Sequence, residues 1–133
     1  MTGSFSDAYE NEIVDRATGK SPSVARYLAL CTVAVSDTDT GSTITEPSGN
    51  NYARIATADT DWTSSSGGAA SNATQLISNT ASGSWGTIVA VALCTASSGG
   101  TLIAYDSGIT SKAIATGDAA RFAIGEIDIS QTS

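Results

Sequence analysis

The polar and apolar positions of this chain change period near Pro22, and the change divides it into two parts. Before that point Phe5, Tyr9 and Ile13 recur every four residues, the spacing of one stripe along a helix. Ser4 or Ser6 can cap the start, and Asp7, Glu10 and Glu12 fall in the early turns, where the helix dipole favours negative charge. Arg16 lies near the end, Gly19 supplies a stop, and Pro22 prevents continuation. The pattern predicts a short amphipathic helix within residues 1–20, packed on its own sheet or docked on a neighbouring subunit.

After Pro22 the apolar residues come in short runs. Arg26–Val35 reads as a strand buried on both faces for much of its length. The turn formers SDTDTGS and EPSGNN lead into a strand over Tyr52–Ala56. Residues 59–72 read as loop with Trp62 as an anchor, 73–78 as a short strand, and TASGSWG as a turn carrying Trp85. Thr87–Cys94 is the strongest β signal, rich in β-branched residues, and is expected to pair across ASSGG with Thr101–Tyr105 as a hairpin. Ile109–Ala115 gives another strand, and Arg121–Ile129 alternates as a strand with one wet face should. These elements predict an all-β fold: one domain over 21–133, an antiparallel β-sandwich of jelly-roll or immunoglobulin-like type with about seven or eight strands, preceded by the N-terminal α-helix.

Composition narrows the functions open to such a domain. The chain has 133 residues, enough for one core, and a hydrophobic fraction of 41% excludes a disordered acidic tail. Charged residues are only 14%, with Ser, Thr, Gly and Asn in their place. The net charge is −7 and the six Lys and Arg are scattered, which argues against nucleic acid as a partner. The longest apolar run, Ile88–Leu93, is far short of a membrane span, and the N-terminus lacks a secretory pattern. No membrane insertion is expected.

Candidate chemistry is sparse. With no His, neither a Ser–His nor a Cys–His nucleophile pair can form. Cys31 and Cys94 each end an Ala-Leu-Cys-Thr tetrapeptide and read as small buried hydrophobes. Asp37 and Asp39 begin like a calcium loop, but Gly41 and Ser48 stand where further ligands would be needed, so a solvated turn is expected there and at Asp59 and Asp61. Trp62 and Trp85 stand alone in loops and read as plugs over the end of the sandwich rather than a sugar platform. The expectation is a non-enzymatic protein with no catalytic residue, cofactor or metal.

The segment Glu46-Pro47-Ser48-Gly49-Asn50-Asn51-Tyr52-Ala53-Arg54 resembles a signature of a family of small bacteriophage virion proteins often labelled tail-fibre or minor tail proteins. The helix over Phe5–Val14, the strand Tyr27–Thr32, Ser71-Asn72, the Gly83–Gly86 turn and the hairpin over 88–105 follow in that family's order, although the cysteines depart from it. The resemblance implies a structural protein of the virion, assembled in the bacterial host cytoplasm. In physical terms Pro47 and Gly49 shape a turn, Tyr52 faces the core, and Arg54 shares its face and can reach Glu46. Arg54 is therefore predicted to be buried with an acid or carbonyl partner.

Position in the particle divides the readings. A fibre shaft needs a long coil or repeated segments, and the sequence has neither heptads nor repeats. The leading expectation is thus a head decoration (cement) protein that binds and stabilises the major capsid protein lattice through its helix and loop ends. The alternative is a tail-fibre or minor tail protein at the tail tip, touching the host surface near Trp62 and Trp85. Either role implies other virion proteins as partners and a homo-oligomer, with a trimer the expected form. A host-directed enzyme or sugar-binding module ranks behind both.

Overall fold

The computed structural model describes residues 7–20 and 25–130. Helix α1 (Asp7–Thr18) is followed by β1 (Arg26–Cys31), β2 (Ile55–Thr57), a 3-10 turn at Asp59–Asp61, β3 (Ala69–Ser71) and β4 (Leu76–Ile77). Then come β5 (Gly86–Ile88), β6 (Ala90–Cys94), β7 (Leu102–Asp106), β8 (Lys112–Ile114), β9 (Arg121–Phe122) and β10 (Asp128–Ser130). The described residues thus hold ten strands rather than seven or eight, all paired antiparallel.

A four-stranded sheet of order β2-β1-β6-β7 forms one layer, and three two-stranded ribbons, β10-β3, β4-β9 and β5-β8, complete a sandwich-like fold. The expected hairpin is present as β6 and β7. The register of β1 on β6 sets Leu28 against Leu93, Ala29 against Ala92 and Leu30 against Val91. Alternate side chains point to opposite faces, so this register sorts residues by size. One face carries Leu28, Leu30, Val91 and Leu93, which pack with Leu76, Ile88, Ile114, Phe122 and Ile129 from the ribbons. The other carries Ala29, Cys31, Ala90, Ala92 and Cys94, fully buried beneath Val35, Ile44, Leu102 and Tyr105. Both cysteines are free, and the register sets them opposite Ala90 and Tyr27 rather than each other.

Two predicted strands are each divided in the structure. Thr87–Cys94 breaks at Val89, whose N–H donates to the Cys31 carbonyl at 2.9 Å. Before the break the chain pairs with β8; after it the chain pairs with β1 and β7, so one run crosses between layers. Arg121–Ile129 breaks into β9 and β10 around a turn at Ala123–Glu126. In an unbroken strand Phe122 and Ile124 would share a face, yet Phe122 is buried and Ile124 is 70% exposed. The alternation of the sequence here spans a turn. Similarly β1 stops at Cys31 because the next amide, Thr32 N–H, turns to the Thr45 carbonyl at 3.0 Å, leaving Val33 exposed.

Helix α1 packs on its own chain. Val14 and Thr18 are buried and Ile13 is half-buried. Its attachment is largely polar: the Gly68 amide donates to Asn11 Oδ1 at 2.8 Å, and the Ser65 amide to Asp15 Oδ1 at 3.0 Å. Arg26 covers the C-terminal end, donating from Nε to the Ala17 carbonyl and from Nη2 to the Arg16 carbonyl, both at 3.1 Å. Such bonds satisfy last-turn carbonyls that the helix itself leaves open. Phe5, Ser4, Ser6 and the Tyr9 side chain lie outside the described residues.

The two faces of the sheet should respond oppositely to size. Leu93→Ala leaves a cavity and should cost about 2–5 kcal/mol, whereas Ala92→Leu overpacks the small face and should cost about 1–3 kcal/mol; urea denaturation measures both. Burial, with the Glu46 charge adding, pushes the Cys31 thiol up from 9.0 to about 12. Its contribution to stability is complete below pH 9 and is lost as pH rises from 9 towards 12. Across that window the urea midpoint of Cys31→Ala should fall less steeply than that of the parent protein.

Candidate functional site

The chemistry-bearing residues of the 46–54 segment meet at one end of the sheet. Arg54, just before β2, is buried, and its guanidinium uses all five N–H donors. Nε donates to Glu46 Oε1 and Nη2 to Glu46 Oε2, each at 3.0 Å, a side-on bidentate pair. The second Nη2 hydrogen reaches the Gly41 carbonyl at 3.0 Å, and Nη1 donates to the carbonyls of Ala96 at 2.8 Å and Gly99 at 2.9 Å. One side chain thereby ties the 36–45 loop, the Glu46 turn and the β6–β7 connection together. These loops touch so closely that a Cβ at Gly41 would lie 2.2 Å from the Gly99 carbonyl oxygen. The position requires glycine.

Tyr52 extends the network into the sheet. Its hydroxyl donates to Glu46 Oε1 at 2.6 Å and accepts from the Leu30 amide at 3.0 Å. Strand β2 pairs with β1 only as far as Leu28, so the phenol takes the place of a strand partner for the amide two residues on. Burial, reinforced by the bond to Glu46, raises the Tyr52 pKa and keeps the phenol neutral. The bond to the Glu46 carboxylate is the main influence raising the pKa of Arg54.

A second contact locks this turn to the one that carries Trp85. Gly49, Asn50 and Asn51 all adopt positive φ, at 71°, 54° and 67°. Asn tolerates this region better than most residues, and Gly does so freely. The resulting coil presents the Asn50 carbonyl to Trp85 Nε1–H at 2.9 Å and to the Ser82 amide at 3.0 Å. The Asn51 amide group donates to the Thr80 carbonyl at 2.9 Å. The Trp85 ring then meets Tyr52 edge-on, with centroids 5.3 Å apart and planes at 89°, a geometry favoured by the ring quadrupoles.

Trp62 lies elsewhere in the same core, its Nε1–H donating to Thr57 Oγ1 at 3.2 Å. Both indoles are buried, at 1% exposure for Trp62 and 3% for Trp85. Neither ring faces outward. The aspartates are occupied as well: Asp39 accepts from the Ser36 amide and the Thr43 hydroxyl, bonds that hold its carboxyl below the usual carboxylate range. Tyr105 O–H donates to Asp37. Asp61 accepts from the Ala58 amide and the Thr74 hydroxyl. Among the described residues no three His, Cys, Asp or Glu side chains gather in a way that could hold a metal ion.

A second polar centre forms at Asn72, which the sequence offered only as part of the family pattern and without a role. It is fully buried; its Oδ1 accepts from the Ile127 amide at 3.0 Å, while Nδ2 donates to the carbonyls of Thr74 at 2.9 Å and Ala123 at 2.8 Å. It thus holds the turn that divides β9 from β10. A Ser-Asn dipeptide in a polar stretch carries no burial signal of its own. Lys112 is placed between Glu126, at 2.7 Å, and the face of Phe122, 5.1 Å from the centroid.

The site is therefore a structural hub. Arg54→Met removes one partner of a buried pair and should cost about 3–5 kcal/mol. Tyr52→Phe should cost about 1 kcal/mol for the lost hydrogen bonds, more if the Leu30 amide finds no water. A double-mutant cycle with Glu46→Gln, read by chemical denaturation, should show strong coupling between 46 and 54. Additive losses would contradict the network.

No curated protein matches the chain. A family model described as podophage GP4 fiber I protein gp80 does match, over residues 4–130, which takes in both hubs, every described strand and the helix. A match over nearly the whole chain shows that it belongs to that family of phage virion structural proteins.

Proposed function

We propose that the chain is a non-enzymatic module of a phage tail fibre, joined to other virion proteins and repeated as a homo-oligomer, with a trimer the simplest form. The observation that carries this reading is the match to a fibre protein across residues 4–130 of 133. It favours the fibre over the head-decoration role, for which neither the fold nor the family match offers support. A compact domain without heptads or repeats suits a joint or tip of a fibre better than its shaft.

The geometry agrees with a structural role. Glu46, Tyr52 and Arg54, the residues best equipped for chemistry, spend their polar groups inside the fold. The buried indoles turn attention away from the tryptophans as host contacts. Contact with a host or neighbour would fall instead on hydroxyl-rich loops such as 36–45 and 95–101.

Separating heads from tails in purified particles and counting this chain by quantitative mass spectrometry tests the proposal. A few copies per particle, recovered with tails, are expected. Recovery with heads at a stoichiometry near that of the major capsid protein would overturn it in favour of decoration.

A further inference from the structure

Three large apolar side chains are well exposed among the described residues, and two of them, Ile77 at 44% and Ile124 at 70%, belong to the β4–β9 ribbon and the turn that follows it. The register pairs Leu76 with Phe122 and Ile77 with Arg121. Leu76 and Phe122 point into the core, so Ile77 and Arg121 stand side by side on the outer face. Gln75 and Ala123, the next positions of that face, are exposed as well. Grouped apolar exposure of this kind marks interaction surfaces, whereas scattered single residues do not.

Charge sets the same surface apart. Lys20 and Arg26 donate to backbone carbonyls, Arg54 is buried with Glu46, Lys112 pairs with Glu126, and Arg16 is engaged too. Arg121 is exposed and has neither an ion pair nor a side-chain hydrogen bond among the described residues. It lines a groove of about 380 Å³ with Lys112, Ile114 and Asp118. There Lys112 and Arg121 offset Asp118 and Glu126, so the surface is close to neutral in a chain of net charge −7. Copies of an acidic protein repel one another, and they approach at least cost where the charge is cancelled.

A patch that met itself across a two-fold axis would bring Arg121 towards its own mate, which like charge opposes. In a three-fold ring each contact joins two different patches, and the guanidinium can reach carboxylates of the next copy. Given the homo-oligomer proposed above, we propose that Ile77, Arg121 and Ile124 of one copy seat the Val33–Asp39 stretch of the next. That stretch has the matching character: Val33, the third exposed apolar residue, is 55% exposed, and Asp37 and Asp39 rim a groove that no Lys or Arg lines.

Sedimentation velocity over a concentration series tests the contact with two variants of the full chain, each changing exposed residues only. Ile77→Ser/Arg121→Gln removes one side and Val33→Ser/Asp37→Asn the other. Each alone should raise the dissociation constant for assembly by roughly tenfold or more. At a concentration where both are monomeric, mixing them should give dimers of one copy of each and nothing larger, because only one intact contact can form. A parent oligomer indifferent to both variants, or a mixture that stays monomeric, would overturn this contact and leave the homo-oligomer standing. A parent chain that is monomeric throughout would sink both.

Discussion

The fold depends on one guanidinium that is removed from water and yet lacks no partner. An Arg taken into a protein interior loses its hydration, and the loss is tolerable only when every N–H finds an acceptor. Arg54 meets that condition with two carboxylate oxygens and three carbonyls drawn from separate loops. The carbonyls matter as much as the ion pair, because they fix the places where the 36–45 loop and the β6–β7 connection must lie. The closely apposed Gly41 and Gly99 follow from that requirement. So does the burial of the small-residue face, since Ile44 covers it from the same loop.

Much of this was legible in the sequence because the relevant signals are local. Helix, central strands and the β6–β7 hairpin follow from period and turn chemistry, and Tyr52 and Arg54 share a face because they are two residues apart. The segment Glu46–Arg54 also supplies its own acid and base. What stayed hidden was non-local. Nothing in Thr87–Cys94 announces that Val89 bonds across to Cys31, and in Arg121–Ile129 only Gly125, at φ 80°, hints at the turn, whose partner Asn72 lies some fifty residues earlier. The tryptophans were read as an anchor and plugs and both rings are buried, but only the fold shows that their polar loops turn inward and deliver them to the main core cluster.

The surface carries a different message from the interior. Inside, polar groups are matched almost bond for bond; outside, the chain is hydroxyl-rich, acidic and poor in cations. Lys20, Arg26 and Arg54 are turned towards backbone carbonyls, and Lys112 towards Glu126. The positive charge of the protein thus largely serves its own architecture, and the negative charge is left facing outward. A net charge of −7 opposes the approach of other acidic surfaces.

The run from Gly86 to Cys94 belongs to both layers, pairing first with β8 and then, past Val89, with β1 and β7. A shared strand makes the two layers mechanically one. Neither can peel away without dragging the other's hydrogen bonds with it, so partial opening is suppressed and unfolding becomes a single cooperative event. A particle outside its host has no chaperones and no means of replacing damaged parts. For such a component, the rare and complete unfolding of an indivisible sandwich is a safer failure than frequent local fraying that proteases could exploit.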